Sequence, residues 1–191
     1  KSLEEPPENT VFMLVADEID RVLPTIRSRC RLIRAGAPTR EQSLEWLKSQ
    51  GVQEAERKLT EAGGMPLAVF DEDARFRLSD EMRERFLAYL KLGRAAPPAQ
   101  ALSVADKDVT LSAAALFLSR WGWDLASAKV GCDPQYFPEF AEEIKAIAQA
   151  ASPAGLYTWI NSVRDIRRVA EHPLNAKTMI EALLISYARN I

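Results

Sequence analysis

The sequence predicts a mainly α-helical chain that opens on a short α/β stretch. Three observations carry this expectation. Glycine is scarce, with 8 residues against 11 prolines, while Ala, Leu, Glu and Arg abound, a balance that favours helices over a glycine-turned β fold. One short apolar run, Val11–Ala16, has the length and composition of a strand covered on both faces, as in a parallel sheet. From Thr39 onward the apolar spacing turns helical and remains so to the C-terminus.

Composition and charge narrow the function classes. The 191 residues are 47% hydrophobic and 27% charged, an ordinary globular balance that excludes disorder and collagen-like repeats. Twenty-five Lys plus Arg against 27 Asp plus Glu leave a net charge of −2, so any nucleic-acid contact has to be a local patch. Cys30 and Cys132 form no CxxC pair, which speaks for a reducing compartment and against a disulfide framework or a zinc cluster. A single histidine, His172, excludes a two-histidine metal site. The longest uncharged run, 146–163, is broken by Ser152-Pro153 and Gly155, so no membrane span is expected. No signal peptide is visible, and the expected location is cytoplasmic. A start at Lys1 without Met reads as the C-terminal fragment of a longer protein.

Each element follows from local chemistry. Leu3-Glu4-Glu5-Pro6-Pro7 reads as a helix end stopped by prolines, ahead of the Val11–Ala16 strand. A short helix, 21–28, follows with Pro24 in its first turn, and Arg31–Arg34 alternates as a second strand. Residues 1–36 thus read as the end of an α/β domain. Thr39-Arg-Glu-Gln42 fits a capping box opening a helix with Leu44 and Leu47 on one face, ended by Gly51. A second helix, 53–62, stops at Gly63-Gly64, and Pro66 starts a third over 67–73, giving a three-helix module in 37–76.

Residues 77–191 are expected to be all-α. Ser79 caps a helix reaching Leu92, and Ala95-Ala96-Pro97-Pro98 is read as a linker. The span 109–123 is apolar nearly all round, as suits the centre of a bundle. Helices over 139–150, 152–170 and 175–188 complete it. Two carry clean stripes: Leu156, Trp159, Ile160, Val163, Ile166 and Ala170 on one, and Met179, Ile180, Leu183, Leu184 and Tyr187 on the other.

Chemistry concentrates around the short helix, where Arg21, Arg27, Arg29, Arg31 and Arg34 cluster. A solvated surface explains such a cluster, as does an anion site, since guanidinium forks suit phosphate oxygens. Elsewhere the plain readings prevail. Cys30 packs as a small hydrophobe, and His172 before Pro173 belongs to a helix C-terminus. Arg120-Trp121-Gly122-Trp123 is core or inter-helix packing in preference to base stacking. Glu139, Glu142 and Glu143 form a solvated acidic face, and Arg164, Arg167 and Arg168 a solvated basic stripe that could also meet a neighbouring subunit or DNA.

The run Leu23-Pro24-Thr25-Ile26-Arg27-Ser28-Arg29-Cys30 resembles the Ser-Arg-Cys motif of clamp-loader ATPases of the AAA+ class, and Leu3–Thr10 is similar to the Leu-Glu-Glu-Pro-Pro stretch that precedes their sensor-1 strand. Pro173-Leu174-Asn175 followed by Glu181–Leu184 resembles the family's last collar helix. The resemblance implies the end of a RecA-like α/β domain (1–36), a three-helix lid (37–76) and an all-α collar for oligomerisation (77–191). It implies that Ser28, Arg29 and Cys30 form the motif and that Arg29 reaches a neighbouring subunit's ATP. It makes Ala16 a degenerate sensor 1, where a Thr is usual, and Pro66 a degenerate sensor 2, where an arginine is usual. Proline carries neither charge nor an N–H donor. Met179, Ile180, Leu183, Leu184 and Tyr187 would form the collar interface.

What the resemblance implies is a non-hydrolysing subunit of the bacterial DNA polymerase III clamp loader. Its partners would be γ/τ and δ subunits, with the sliding clamp and primed DNA met through the complex, and no membrane. No cofactor or metal is expected in these residues, zinc being possible only in a part of the family pattern N-terminal to Lys1, where the Walker motifs also lie. Two other readings fit the same residues: an active AAA+ ATPase subunit with an unusual sensor 2, and an unrelated helical protein-interaction module in which Ser-Arg-Cys is accidental.

Overall fold

The computed structural model describes residues 3–16, 19, 22–70, 77–105, 109–172 and 175–191. Arg21, Asp17, residues 71–73 of the expected third lid helix, and Pro173-Leu174 lie outside the described residues. The chain divides into two units, Lys1–Thr39 and Arg40–Ile191.

In the first unit the structure departs from expectation. Its described helix is α1, Pro24–Arg27, with the proline at its first position, where a missing N–H costs nothing. Both expected strands are absent: Val11–Ala16 and Arg31–Arg34 run without ladder pairing. Val11, Met13 and Val15 are 88%, 90% and 95% exposed. The reason is cooperative. A strand becomes one only against another strand, and none lies alongside among the described residues.

The second unit is helical throughout. Helix α2 (Arg40–Ser49) and α3 (Ala55–Glu61) pack Leu47, Ala55, Leu59, Ala62 and Val69 into a small core, with Leu44 half-buried beside Leu47. Gly51 ends α2 with φ at +74°, a left-handed cap that needs glycine. The third expected helix begins as a 3₁₀ turn, Leu67–Val69, behind Pro66.

A larger core belongs to the remaining helices: α4 (Asp80–Leu90), α5 (Pro98–Val104), α6 (Leu111–Lys129), α7 (Ala141–Ala150), α8 (Pro153–Val169) and α9 (Ala176–Asn190). Four begin on a side-chain cap, Ser79 among them as expected. Ser79, Thr110, Ser152 and Asn175 each accept the backbone N–H three residues on, from Met82, Ala113, Gly155 and Thr178, at 3.0–3.2 Å. The expected linker Ala95–Pro98 is a correction: Gly93–Ala95 forms a 3₁₀ turn, Pro98 opens α5, and Ala96 and Ala101 are buried. The two prolines end nothing there, because a proline at a first helical position is favourable.

Helix α6 is the centre, packed by α7, α8 and α9, and Trp121 and Leu125 have no exposure at all. Buried polar atoms in this core all find partners. Trp121 Nε1 donates to Tyr187 Oη at 3.2 Å, which donates to Leu90 O at 2.7 Å. Trp159 Nε1 donates to Leu183 O at 3.1 Å, and Tyr89 Oη to Leu184 O at 3.3 Å. Burial pushes the Tyr187 hydroxyl's pKa well up, keeping it a neutral donor. These bonds tie α4, α6 and α8 to α9, so an unmade one would leave a desolvated group costing about 1–3 kcal/mol.

Fully buried Asp124 gathers the loop after α6. Its Oδ1 accepts from Gln135 N at 2.8 Å and its Oδ2 from Phe137 N at 2.8 Å, while Tyr136 N reaches both oxygens. Burial raises its pKa, and those three N–H groups oppose the rise by favouring the carboxylate. The loop so fixed meets the smaller core: Gln135 Nε2 donates to Gly63 O, and the Tyr136 ring lies where a Cβ on Gly63 would stand. No helix among the described residues is long and apolar enough to cross a membrane.

Candidate functional site

The site the sequence points to is the C-terminal end of α1. Four residues make one helical turn: Ile26 N and Arg27 N bond to Leu23 O, and Ser28 N to Pro24 O at 3.0 Å. Ser28 Oγ donates to Thr25 O at 3.1 Å, and Cys30 closes the turn through its N–H to Arg27 O. The hydroxyl therefore folds back on the turn, while Cys30 is half-buried.

Arg29 is held from two sides. Its Nη1 donates to Thr25 O at 2.6 Å, and its Nη2 donates to a Glu4 carboxylate oxygen. The side chains of Arg29 and Glu4 remain 37% and 48% exposed. Among the described residues two of the guanidinium's five donors have partners, and its exposed edge can meet a further acceptor. Of the neighbouring cations, Arg27, Arg31 and Arg34 are exposed on the same unit. The partner role of Glu4 was not legible in the sequence. The only signal was its place beside Glu5 before the two prolines, and nothing in spacing says which acid reaches an arginine 25 positions on.

Each of the other expected site residues has its own local setting within its unit. Ala16 lies exposed in the extended segment, with no hydroxyl to offer. Pro66 precedes the 3₁₀ turn in the second unit with φ at −65°. For the interface stripe the structure brings a correction: Ile180, Leu183, Leu184 and Tyr187 are 0–2% exposed inside the chain's own core, with half-buried Met179 packed against it. In this chain α5, α6 and α8 cover that face of α9, so the four buried side chains pack internally. The face left open carries Lys177, Thr178, Ala182 and Arg189.

Remaining candidates keep their plain roles. His172 follows α8 with its N–H bonded to Val169 O at 3.0 Å. Trp121 is core as expected, whereas Trp123, read with it as packing, is 59% exposed on the surface. Glu139 of the acidic face pairs with Arg83 at 3.0 Å. No group of three or more His, Cys, Asp or Glu among the described residues is arranged to hold a metal ion.

Comparison with known proteins bears on this geometry. A family model described as DNA polymerase III, delta subunit, matches residues 1–38, a span that contains both Leu3–Thr10 and Ser28–Cys30. The DNA polymerase III subunit delta' of Haemophilus influenzae is 40% identical over 74 residues, 37% of this chain and 23% of that protein. The same subunit of Pseudomonas aeruginosa is 41% identical over 73 residues, 36% of this chain and 22% of that one. That of Escherichia coli is 39% identical over 79 residues, 38% of this chain and 24% of that one. The chain thus spans less than a quarter of the length of these relatives. Residues 1–38, with their Leu-Glu-Glu-Pro-Pro and Ser-Arg-Cys runs, are thus similar to the DNA polymerase III delta subunit family model, and part of the chain is about 40% identical to delta' subunits.

Proposed function

We propose that the chain acts in the bacterial sliding-clamp loader as a subunit that does not hydrolyse ATP itself and presents Arg29 to an ATP bound by an adjacent γ/τ-type subunit. The observation that carries the proposal is Arg29 itself: an exposed guanidinium, fixed at two nitrogens at the end of a short helix, with donors left over. Phosphoryl transfer spreads negative charge over the γ-phosphate oxygens, and a fixed guanidinium stabilises that charge more in the transition state than before it. Ala16 and Pro66, which offer neither hydroxyl nor cation, support the non-hydrolysing half of the proposal.

In this reading residues 1–36 close a RecA-like domain, 37–76 form a lid and 77–191 join a collar. The open face of α9 and not its buried stripe would meet a neighbour. The δ subunit, the sliding clamp and primed DNA would be met through the complex.

Arg29→Ala in a reconstituted clamp loader is the test. Known arginine fingers contribute about 10³–10⁵ in rate. A ring with several ATP sites keeps its other fingers, so DNA-stimulated turnover and clamp loading should fall only in part, with subunit association intact. Arg27→Ala and Arg31→Ala should leave turnover near its original value. Unchanged loading by Arg29→Ala, or equal damage from Arg27→Ala, would overturn the assignment.

A further inference from the structure

The second unit contains a cleft of about 330 Å³ between α3, the start of α4, α6 and the loop anchored by Asp124. Its charged lining is lopsided: Arg57, Lys58, Arg77, Arg83 and Arg120 stand against Glu61 and Asp80. Some of these cations are already neutralised. Arg57 pairs with Glu54 at 3.3 Å and Glu61 at 3.6 Å, and Arg83 with Glu139 at 3.0 Å. Arg120 and Lys58 have no such carboxylate within ion-pair distance among the described residues.

Arg120 is the unusual member. It is half-buried on α6, with its guanidinium over the Tyr136 ring at 5.6 Å from the centroid. Burial pushes its pKa down, Tyr136 and Glu61 counter that, and Arg167 adds to it. Glu61 acts on this guanidinium from beyond ion-pair distance, so among the described residues it has lost water without a hydrogen-bonded carboxylate, and it borders an open cavity.

We propose that this cleft is a binding site for a small phosphorylated ligand, gripped by Arg120 and Lys58 with the Tyr136 ring as its floor. A phosphoryl group meets the geometry in two ways. Its three outer oxygens accept from a guanidinium fork and an ammonium together, and its double charge suits Arg120 and Lys58, the two lining cations with no ion pair among the described residues. The volume lies at the small end of ligand sites, which fits one or two phosphoryl groups and leaves no space for a buried strand of nucleic acid. Free polyphosphates and the terminal phosphates of nucleotides share this chemistry.

Calorimetric titration of the 191-residue chain with inorganic pyrophosphate, at about 0.15 M salt to suppress diffuse binding, tests the site. Saturable binding is expected. Arg120→Gln should weaken it at least about tenfold, by loss of a charge-assisted fork, and Lys58→Gln several-fold. Arg164→Gln, whose side chain lies outside the cleft lining beside Asp165, should change nothing. Competition by a nucleoside diphosphate but not by the bare nucleoside would assign the source to nucleotides, whereas failure of the nucleotide to compete would assign it to free polyphosphate. Absence of saturable binding, or equal binding by Arg120→Gln and the unaltered chain, would overturn the proposal. Should Arg120→Gln fail to fold by circular dichroism, Lys58→Gln decides alone, and unchanged affinity in it counts against the site.

Discussion

Arg29 carries the functional proposal, and its pairing with Glu4 sets what a substitution there can reveal. An exposed ion pair contributes about 0–1 kcal/mol, and both partners here keep a third or more of their surface in water. The pair is therefore too weak to compete seriously with a phosphate. Glu4→Gln should leave the 191-residue chain as stable as before and raise ATP turnover of the reconstituted complex by no more than about fivefold, the factor that 1 kcal/mol supplies. A large fall in turnover would instead make the carboxylate an orienting group. Arg29→Lys should recover little of what Arg29→Ala loses, because a point charge on a flexible stem cannot replace the fork. At this scale the sequence was informative where residue type fixes chemistry, as at Ser28, Arg29 and Cys30. It was silent on Glu4, because the partner of a surface arginine depends on where the backbone turns.

Helices were legible wherever their signals are local. The cap at Ser79 depends on a side chain and an N–H three residues away, and the glycine stop at Gly51 depends on one φ angle. Strands were not, since Val11–Ala16 has strand composition without a ladder partner among the described residues. Helix α5 was missed because Pro97-Pro98 reads as a break until the first-position exception is applied. Contact between the two cores was also hidden, because it depends on what Gly63 lacks. Its φ of +64° and the Tyr136 ring in its Cβ position both require glycine. Gly63→Ala should cost roughly 1–3 kcal/mol through a left-handed alanine and a displaced ring. It should also open the connection between α3 and α4 to limited proteolysis. Cleavage at the original rate with an unchanged melting temperature would show that the ring moves aside freely.

On the scale of the molecule, α9 belongs to the interior before it belongs to any assembly. Its apolar stripe was correctly seen as needing cover, and sequence could not say whether that cover was another chain or this one. Packing answered through α5, α6 and α8, which leave Ile180, Leu184 and Tyr187 with no exposure. Full burial of one such side chain contributes about 1.5–3 kcal/mol, so losing several approaches the whole stability of a domain, about 5–15 kcal/mol. Deleting 175–191 should abolish the cooperative thermal transition of the helical unit, not merely its association with other subunits. A truncated chain that still melted cooperatively would return the stripe to an interface role.

The four tryptophans divide evenly between two settings: Trp121 and Trp159 have no exposure, whereas Trp46 and Trp123 show 37% and 59% of theirs. Emission from the inner pair should lie to the blue and resist iodide, while the outer pair emits to the red and is extinguished by it. Trp121 also sits next to Arg120 in sequence, within the bond that runs through Tyr187 to Leu90. The protein thus contains its own two-colour gauge, in which iodide silences the surface and leaves the light of the core to report whether α9 is still seated.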